Sequence, residues 1–310
     1  MIWPRGPCAS SATASSSALR ETVRHPLPAA NTGVSSGGTR LTVQLPARAP
    51  FDGPGLLQFF AARALTGVES VTRSTRFTTD AAAPVIGYAR TLALPHSPAT
   101  IDLTLHDGEG PEHETRRGGS PGVRCAVWVS NLADLAPLVS RVRRLLDLDA
   151  DARVIDLALA LGDDLPEVAH TAVEPVGGPT QSGLLRLFPT ASMIAAHGRE
   201  VLRGPAARIT AIVQTAEALS NGELVLSPGD TRPELAAKLQ ARPGIGPWTA
   251  AYVAMRVLGS PDILLTSDLA LRRGAIGLGL PGTPGALAAR GSGWAPWRSY
   301  AGMHLWGTSK

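Results

Sequence analysis

Apolar residues change their period about halfway along this chain. Between Arg40 and Val129 they alternate with polar residues or run in short blocks, and beyond Asp151 they recur every three or four positions. The first pattern predicts strands and the second helices. Leu41–Leu45 alternates as a strand does, and Phe51–Ala64 reads as a helix with Leu56, Leu57, Phe59 and Phe60 on its apolar side. Gly67–Val71 leads into another strand. Arg90–Leu94, Thr100–Leu105 and Val123–Val129 extend a small sheet, and the polar, glycine-rich stretch Asp107–Gly122 is a loop. Asn131 caps a helix running to about Leu146, with Leu132, Leu135, Val139, Val142 and Leu146 in one stripe. This block predicts an α+β domain, a small antiparallel sheet with two helices.

The remainder reads as all helix. Asp151–Leu161 is one short helix, and Thr190–Ala196 is a second, preceded by Phe188-Pro189. Ala206–Ser220 is a third, ended by Asn221-Gly222. Asp230 or Thr231 caps a fourth, with Pro233 in its first turn. A helix from Pro247 to about Leu258 follows, another starts near Ser267, and the last contains Trp297–Trp306. Residues 165–187 hold Pro166, Pro175, Gly177, Gly178 and Pro179 and show no helical period. So long an unstructured connection is unusual inside a compact domain. Residues 1–39 are rich in Ser, Ala, Thr, Gly and Pro, which reads as a disordered leader or as a start site placed too far upstream. The expected division is a leader over 1–39, an α+β domain over 40–148 and a helical domain over 149–310.

Composition narrows the function. No apolar run reaches the ~20 residues that span a bilayer, and no secretory signal opens the chain, so a cytoplasmic protein is expected. Cys8 and Cys125 are the only two cysteines. They exclude a four-cysteine iron–sulfur cluster and make no disulfide framework. The net charge of +4 is mildly favourable for nucleic acid. Only Lys238 and Lys310 are lysines among the 29 basic residues, which bears on the chemistry below.

The stretch Leu239-Gln240-Ala241-Arg242-Pro243-Gly244-Ile245-Gly246-Pro247-Trp248-Thr249-Ala250 reads as two helices joined by a glycine hairpin. Gly244 and Gly246 permit backbone angles that a side chain resists, and Pro247 starts a helix where a missing N–H costs nothing. Several unpaired N–H groups at a positive helix end suit a phosphate. A plain corner in a helical bundle is the simpler reading of a lone Gly-x-Gly. The flanking helices and the residues downstream favour a DNA-gripping helix-hairpin-helix.

Trp248 and Tyr252 are four apart and share a helix face, and Trp306 adds a third aromatic near the C-terminus. Such pairs are ordinarily core. The functional reading is a pocket whose rings stack on an extruded base and attract a cationic one by ~0.5–2 kcal/mol. Asp268 opens a helix, where an acid complements the dipole. Ser267 and Thr266 stand beside it as alternative caps, which would leave Asp268 for another task. An ionised carboxylate beside a sugar C1′ can stabilise an oxocarbenium-like transition state and orient water, as carboxylates do in glycoside hydrolysis.

Taken together, Leu239–Ala254, the segment Asp262-Ile263-Leu264-Leu265-Thr266-Ser267-Asp268 and the segment Trp294-Ala295-Pro296-Trp297-Arg298-Ser299-Tyr300-Ala301-Gly302-Met303-His304-Leu305-Trp306 resemble the DNA-3-methyladenine glycosylase II family. Phe188-Pro189-Thr190 matches a further recurrent feature, and residues 40–148 look like the family's N-terminal domain. The resemblance implies that Asp268 is the catalytic aspartate and that Trp248, Tyr252 and Trp306 line the base pocket. It implies that Gly244, Ile245 and Gly246 hold a DNA phosphate, with Arg272 and Arg273 as further phosphate contacts or simply solvated surface arginines. Carbonyls of Gln240, Arg242 and Ile245 match positions that bind a monovalent cation, and no organic cofactor is implied. Relatives that also cleave the strand carry a Schiff-base lysine where this chain has Trp248, so the resemblance implies a monofunctional hydrolase. Its partner is duplex DNA containing alkylated bases, chiefly 3-methyladenine, and a monomer is expected.

The chain departs from the family between Pro166-Glu167-Val168-Ala169-His170 and Glu174-Pro175-Val176-Gly177-Gly178. About 40 residues of the family pattern are missing near residues 165–175, in the connection already unusual for its length. In the family these form two helices that wall the pocket and carry the wedge residue, so no wedge is named here. Base flipping costs a few kcal/mol that a wedge helps to offset, and lost helices expose apolar surface at ~25 cal/mol per Å². Two readings stay open: a weakened glycosylase, or a catalytically inactive DNA-binding remnant. A scaffold role for the N-terminal domain is a third, weaker reading.

Overall fold

The computed structural model describes residues 39–74, 84–106, 121–160, 184 and 186–309. The leader over 1–38, Cys8, Lys310, most of the loop Asp107–Gly122, and the segment near 165–175 with its expected deletion lie outside the described residues. The described residues fall into two compact units, divided near residue 157 and again near residue 188. The helix Ala152–Ala160 is shared between them.

The first unit is a five-stranded antiparallel sheet. Its strands are β1 (Thr39–Pro46), β2 (Glu69–Arg73), β3 (Val85–Ala93), β4 (Pro98–His106) and β5 (Gly122–Val129), in the order β1-β5-β4-β3-β2. Leu45, Ile101, Leu103, Leu105, Val123, Val127 and Val129 are buried. Helix α1 (Gly53–Ala61) starts later than the expected Phe51, because buried Asp52 caps it by accepting from Gly55 N at 2.9 Å. Helix α2 (Leu135–Leu146) follows a short 3₁₀ turn, and Asn131 accepts from Ala133 N to open that turn. Its first residues are clamped to the β3–β4 turn by Asp134, which is fully buried. Asp134 takes His96 Nδ1 at 2.9 Å and Ser97 N at 3.0 Å. Burial opposes its ionisation, but the donors from His96 and Ser97 outweigh burial and hold the carboxyl below its ordinary range.

Two buried groups in the sheet lack such compensation. Asp102 on β4 has an Oδ2 with no partner among the described residues, and burial raises its pKa to about 6 against the pull of Arg40. Cys125, a free thiol on β5, is pushed by burial to about 12. That makes it an inert core residue rather than a nucleophile.

Helix α3 is the shared Ala152–Ala160. The second unit holds α4 (Ala191–Val201), α5 (Ala206–Ser220), α6 (Arg232–Gln240), α7 (Pro247–Val257), α8 (Leu269–Gly277), α9 (Pro284–Gly291) and α10 (Arg298–Thr308). Helix α6 begins with a full capping box between Thr231 and Glu234. Helix α9 was not expected from the sequence. Its only large apolar residue, Leu287, makes no stripe, although Thr283-Pro284 is a legible start. Helices α8 and α10 approach each other closely. A Cβ on Gly274 would lie 1.7 Å from the carbonyl oxygen of Leu305, so two helix backbones touch where only a glycine fits.

That contact predicts a contrast between two glycine-to-alanine substitutions. Gly274→Ala should destabilise the protein by about 3 kcal/mol, since a carbonyl cannot rotate out of the way. A Cβ on Gly302 meets only Leu271 Cδ1 at 3.4 Å and Leu264 Cδ1 at 3.6 Å. Gly302→Ala should therefore be neutral or stabilising by up to about 1 kcal/mol, and urea unfolding of both variants checks the pair.

The two units should also respond oppositely to acid. His304 on α10 is held near 4 by burial, below its unfolded value near 6.5, so its stabilising contribution is full above about 6.5 and is lost as pH falls toward 4. Asp102 has a raised folded pKa, so its penalty grows as pH rises from about 4 through 6. Hydrogen exchange followed at pH 6.5 and 4.5 should show α10 losing up to about 3 kcal/mol of protection, while the strands β4 and β5 gain. His304→Gln should remove the loss in α10.

Candidate active site

The loop between α7 and α8 is tied to the start of α10 before it delivers Asp268. Arg298 forks onto Asp262, with Nη2 to Oδ2 at 2.6 Å, and this pairing holds the Asp262 carboxyl below its ordinary range. Buried Ser299 accepts from Ile263 N at 2.9 Å and donates to the Ser260 carbonyl at 2.7 Å. Ile263 and Leu265 are buried within the same loop. The backbone entering α8 is thus fixed at both ends.

Asp268 is itself the N-cap of α8, accepting from Leu271 N at 2.9 Å. This corrects the expectation that Ser267 or Thr266 would cap the helix and leave the aspartate uncommitted. The cap does not consume the carboxylate. Its second donor, Trp306 Nε1 at 3.0 Å, also binds Oδ1. Oδ2 has no protein donor among the described residues. One carboxylate oxygen anchors the residue and the other is left for chemistry.

Trp306 links this carboxylate to the aromatic residues of α7. Its ring meets Tyr252 edge-on, with centroids 6.3 Å apart. Tyr252 in turn stacks on Trp248 at 5.3 Å with only 6° between the planes. The three rings and Asp268, separated by up to 58 positions in the chain, form one cluster. The stack also limits how a base can enter, because Trp248 and Tyr252 close the space between themselves. Trp248 is the most open of the three, 40% exposed, and Tyr252 and Trp306 are half-buried. Arg256, one turn beyond Tyr252, was not singled out from the sequence. Its Nε donates to the Tyr252 hydroxyl at 3.3 Å, and its guanidinium lies over the Tyr252 ring at 5.3 Å. The spacing Trp248, Tyr252, Arg256 is the signal that identifies it.

The hairpin before α7 is built as the glycines require. Gly244 sits at φ 81°, in left-handed backbone. A Cβ there would also strike Ala211 Cβ on α5 at 2.7 Å. Ile245 N closes the turn on the Arg242 carbonyl at 3.2 Å, and Gly246 caps α7 without a side chain. The N–H groups of Gly244, Gly246, Trp248 and Thr249 have no protein acceptor among the described residues, which leaves a cluster of donors at a helix N-terminus. Of the carbonyls matched to a cation site, those of Gln240 and Ile245 take no protein donor among the described residues, and that of Arg242 takes Ile245 N. These are oxygen donors of the kind a hard monovalent cation accepts.

The two arginines on α8 differ. Arg272 is half-buried and spends its Nε on the Gly282 carbonyl at 2.6 Å, which ties down the loop before α9. Arg273 is exposed, with a long 3.4 Å contact to the Leu269 carbonyl in its own helix. It is the more available of the two for a phosphate. Lys238 on α6 is paired with Asp230 at 2.7 Å and carries no part of the cluster.

Residues 42–173 match the AlkA N-terminal domain. Among similar proteins is the Mycobacterium tuberculosis protein named "Probable bifunctional transcriptional activator/DNA repair enzyme AlkA", 34% identical over 88% of this chain and 58% of its own length. The chain therefore spans a little over half of that relative. The alignment runs over 313 positions although only 88% of this 310-residue chain takes part, so the relative contributes positions with no counterpart here. The Escherichia coli protein named "DNA-3-methyladenine glycosylase 2" is 27% identical over 84% of this chain and 94% of its own. A 3-methyladenine DNA-glycosylase structure from Archaeoglobus fulgidus shares the fold, with a TM-score of 0.58 over 86% of this chain and 97% of that one at 15% identity.

Proposed function

We propose that this chain, which carries an AlkA N-terminal domain and has homologues named AlkA and DNA-3-methyladenine glycosylase 2, hydrolyses the N-glycosidic bond of alkylated bases in duplex DNA. The observation that carries the reading is the carboxylate of Asp268. Two donors fix it through Oδ1, beside a cluster of aromatic rings, and Oδ2 has no protein partner among the described residues. A carboxylate so placed stabilises positive charge developing at a sugar C1′ and orients the attacking water.

The other parts take complementary roles. Trp248 offers the stacking face for an extruded base, and Tyr252 and Trp306 brace it from behind. The hairpin Gly244–Gly246 receives a backbone phosphate on its unpaired N–H groups, with Arg273 on α8 as a further phosphate contact and Arg272 holding the loop before α9. A monovalent cation on the carbonyls of Gln240, Arg242 and Ile245 would neutralise their dipoles and stiffen the turn. With Trp248 at the aromatic position and Lys238 engaged by Asp230, no described lysine is placed to form a Schiff base. This supports base removal by hydrolysis without strand cleavage.

The test is release of methylated bases from alkylated duplex DNA by the purified chain beside Asp268→Asn. Asparagine keeps both hydrogen bonds through its Oδ1 and remains a good cap, so the variant isolates the charge. The expected result is release by the parent, a loss on the order of a hundredfold or more in Asp268→Asn, and unchanged affinity of both for duplex DNA. Binding without release in the well-folded parent would instead identify a DNA-binding remnant.

A further inference from the structure

We propose that Glu223 is a positioning residue for the glycine hairpin, acting through Arg242 to hold the turn in the shape that receives a DNA phosphate. The inference rests on the reading of Gly244–Gly246 as a phosphate grip and gives that grip a support outside the hairpin.

The support begins where α5 ends in a tight turn. Gly222 sits at φ 81°, in left-handed backbone. Leu224 is buried and returns its N–H to the Ala218 carbonyl at 2.8 Å. Asn221 Oδ1 accepts from Glu223 N at 2.9 Å. The backbone at Glu223 is therefore fixed, and its side chain reaches the hairpin, where Arg242 Nη1 donates to Oε1 at 2.7 Å. Arg242 stands two residues before Gly244, and its own carbonyl closes the turn by accepting from Ile245 N at 3.2 Å. A second contact lies on the same helix, where Gly244 approaches Ala211 too closely for a Cβ. One steric contact and one ion pair thus seat the hairpin on α5.

The two contacts act in opposite directions. Steric contact at Ala211 stops the turn from moving toward α5, and only an attraction stops it from moving away. The burial of Arg242 makes the ion pair an effective tether. The residue is half-buried, and its Nε is buried with no partner among the described residues. A guanidinium placed in this way has given up part of its hydration. Without Glu223 it regains water by swinging outward, and the residue whose carbonyl closes the turn follows it. A phosphate is held only while the hairpin N–H groups converge on it, so a looser turn costs affinity for DNA. The Asp268 carboxylate is fixed by Leu271 N and Trp306 Nε1 instead, and it does not depend on this pair.

The test removes the pair at constant net charge. Glu223→Gln combined with Arg242→Met deletes one charge of each sign, and methionine keeps an apolar stem in the half-buried site. Affinity for undamaged duplex DNA at fixed salt is measured beside KM and kcat for release of methylated bases. The double variant should bind duplex roughly two- to fivefold more weakly than the parent, with KM raised in step and the loss absent from kcat. Amide exchange at Ile245, whose N–H closes the turn, should quicken in the free protein. Exchanging the residues, Glu223→Arg with Arg242→Glu, rebuilds the pair in reverse and should restore the parent's affinity. Unchanged or tighter binding by the double variant overturns the proposal. So does a fall in kcat at constant KM, an unchanged exchange rate at Ile245, or an exchanged pair that recovers nothing. If the parent binds duplex but releases no base, the glycosylase reading fails and the binding constants still decide the role of Glu223. If the parent binds no duplex, the hairpin grips no phosphate and the proposal falls.

Discussion

The candidate site depends on two helix backbones lying closer together than side chains ordinarily allow. Gly274 on α8 faces the carbonyl of Leu305 on α10 with no room for a Cβ. Asp268 caps the first turn of α8, and Trp306 follows Leu305 directly on α10. Bringing Gly274 onto Leu305 therefore sets how near the carboxylate and the indole can come. The 3.0 Å hydrogen bond between them is the outcome. The fork of Arg298 on Asp262 and the hydroxyl of Ser299 fix the other end of the same pair of segments. Such a frame leaves the carboxylate little freedom, which is what a preorganised electrostatic site requires.

Helix ends serve twice in this unit, as structure and as chemistry. Asp268 satisfies an orphan N–H of α8 with the same oxygen that takes the indole, so one interaction serves both stability and orientation. The start of α7 does the reverse. Its cap is a glycine, no side chain covers the first N–H groups, and the donors stay open. One helix end is closed by a carboxylate and the other is left to receive an anion. The difference follows from the residue at each cap.

Three ion pairs tie charges of the second unit to one another. Asp230 with Lys238, Glu223 with Arg242 and Asp262 with Arg298 are paired. Each pair is partly exposed and removes both its charges from those available to a ligand. Arg256 is half-buried and lies over the Tyr252 ring, with Nε on the Tyr252 hydroxyl.

Much of the architecture was legible because each element's period is local. Alternation marked most strands, and apolar stripes with caps at Asn131 and Thr231 marked the helices. Where periodicity failed, the reason was composition. Val85–Ala89 is buried throughout and does not alternate, so β3 starts five residues before the Arg90 expected for it. Helix α9 is mostly Gly and Ala and shows no stripe. The sequence by itself determined what lies within one helix: the shared face of Trp248 and Tyr252, and the glycine turn that opens α7. Only the tertiary structure decided that Asp268 would cap its own helix and that Trp306 would reach the same carboxylate oxygen across 38 positions. Neighbours three or four apart are set by helical pitch. Contacts between helices depend on how closely their backbones pack, and here that distance is governed by the missing Cβ of Gly274.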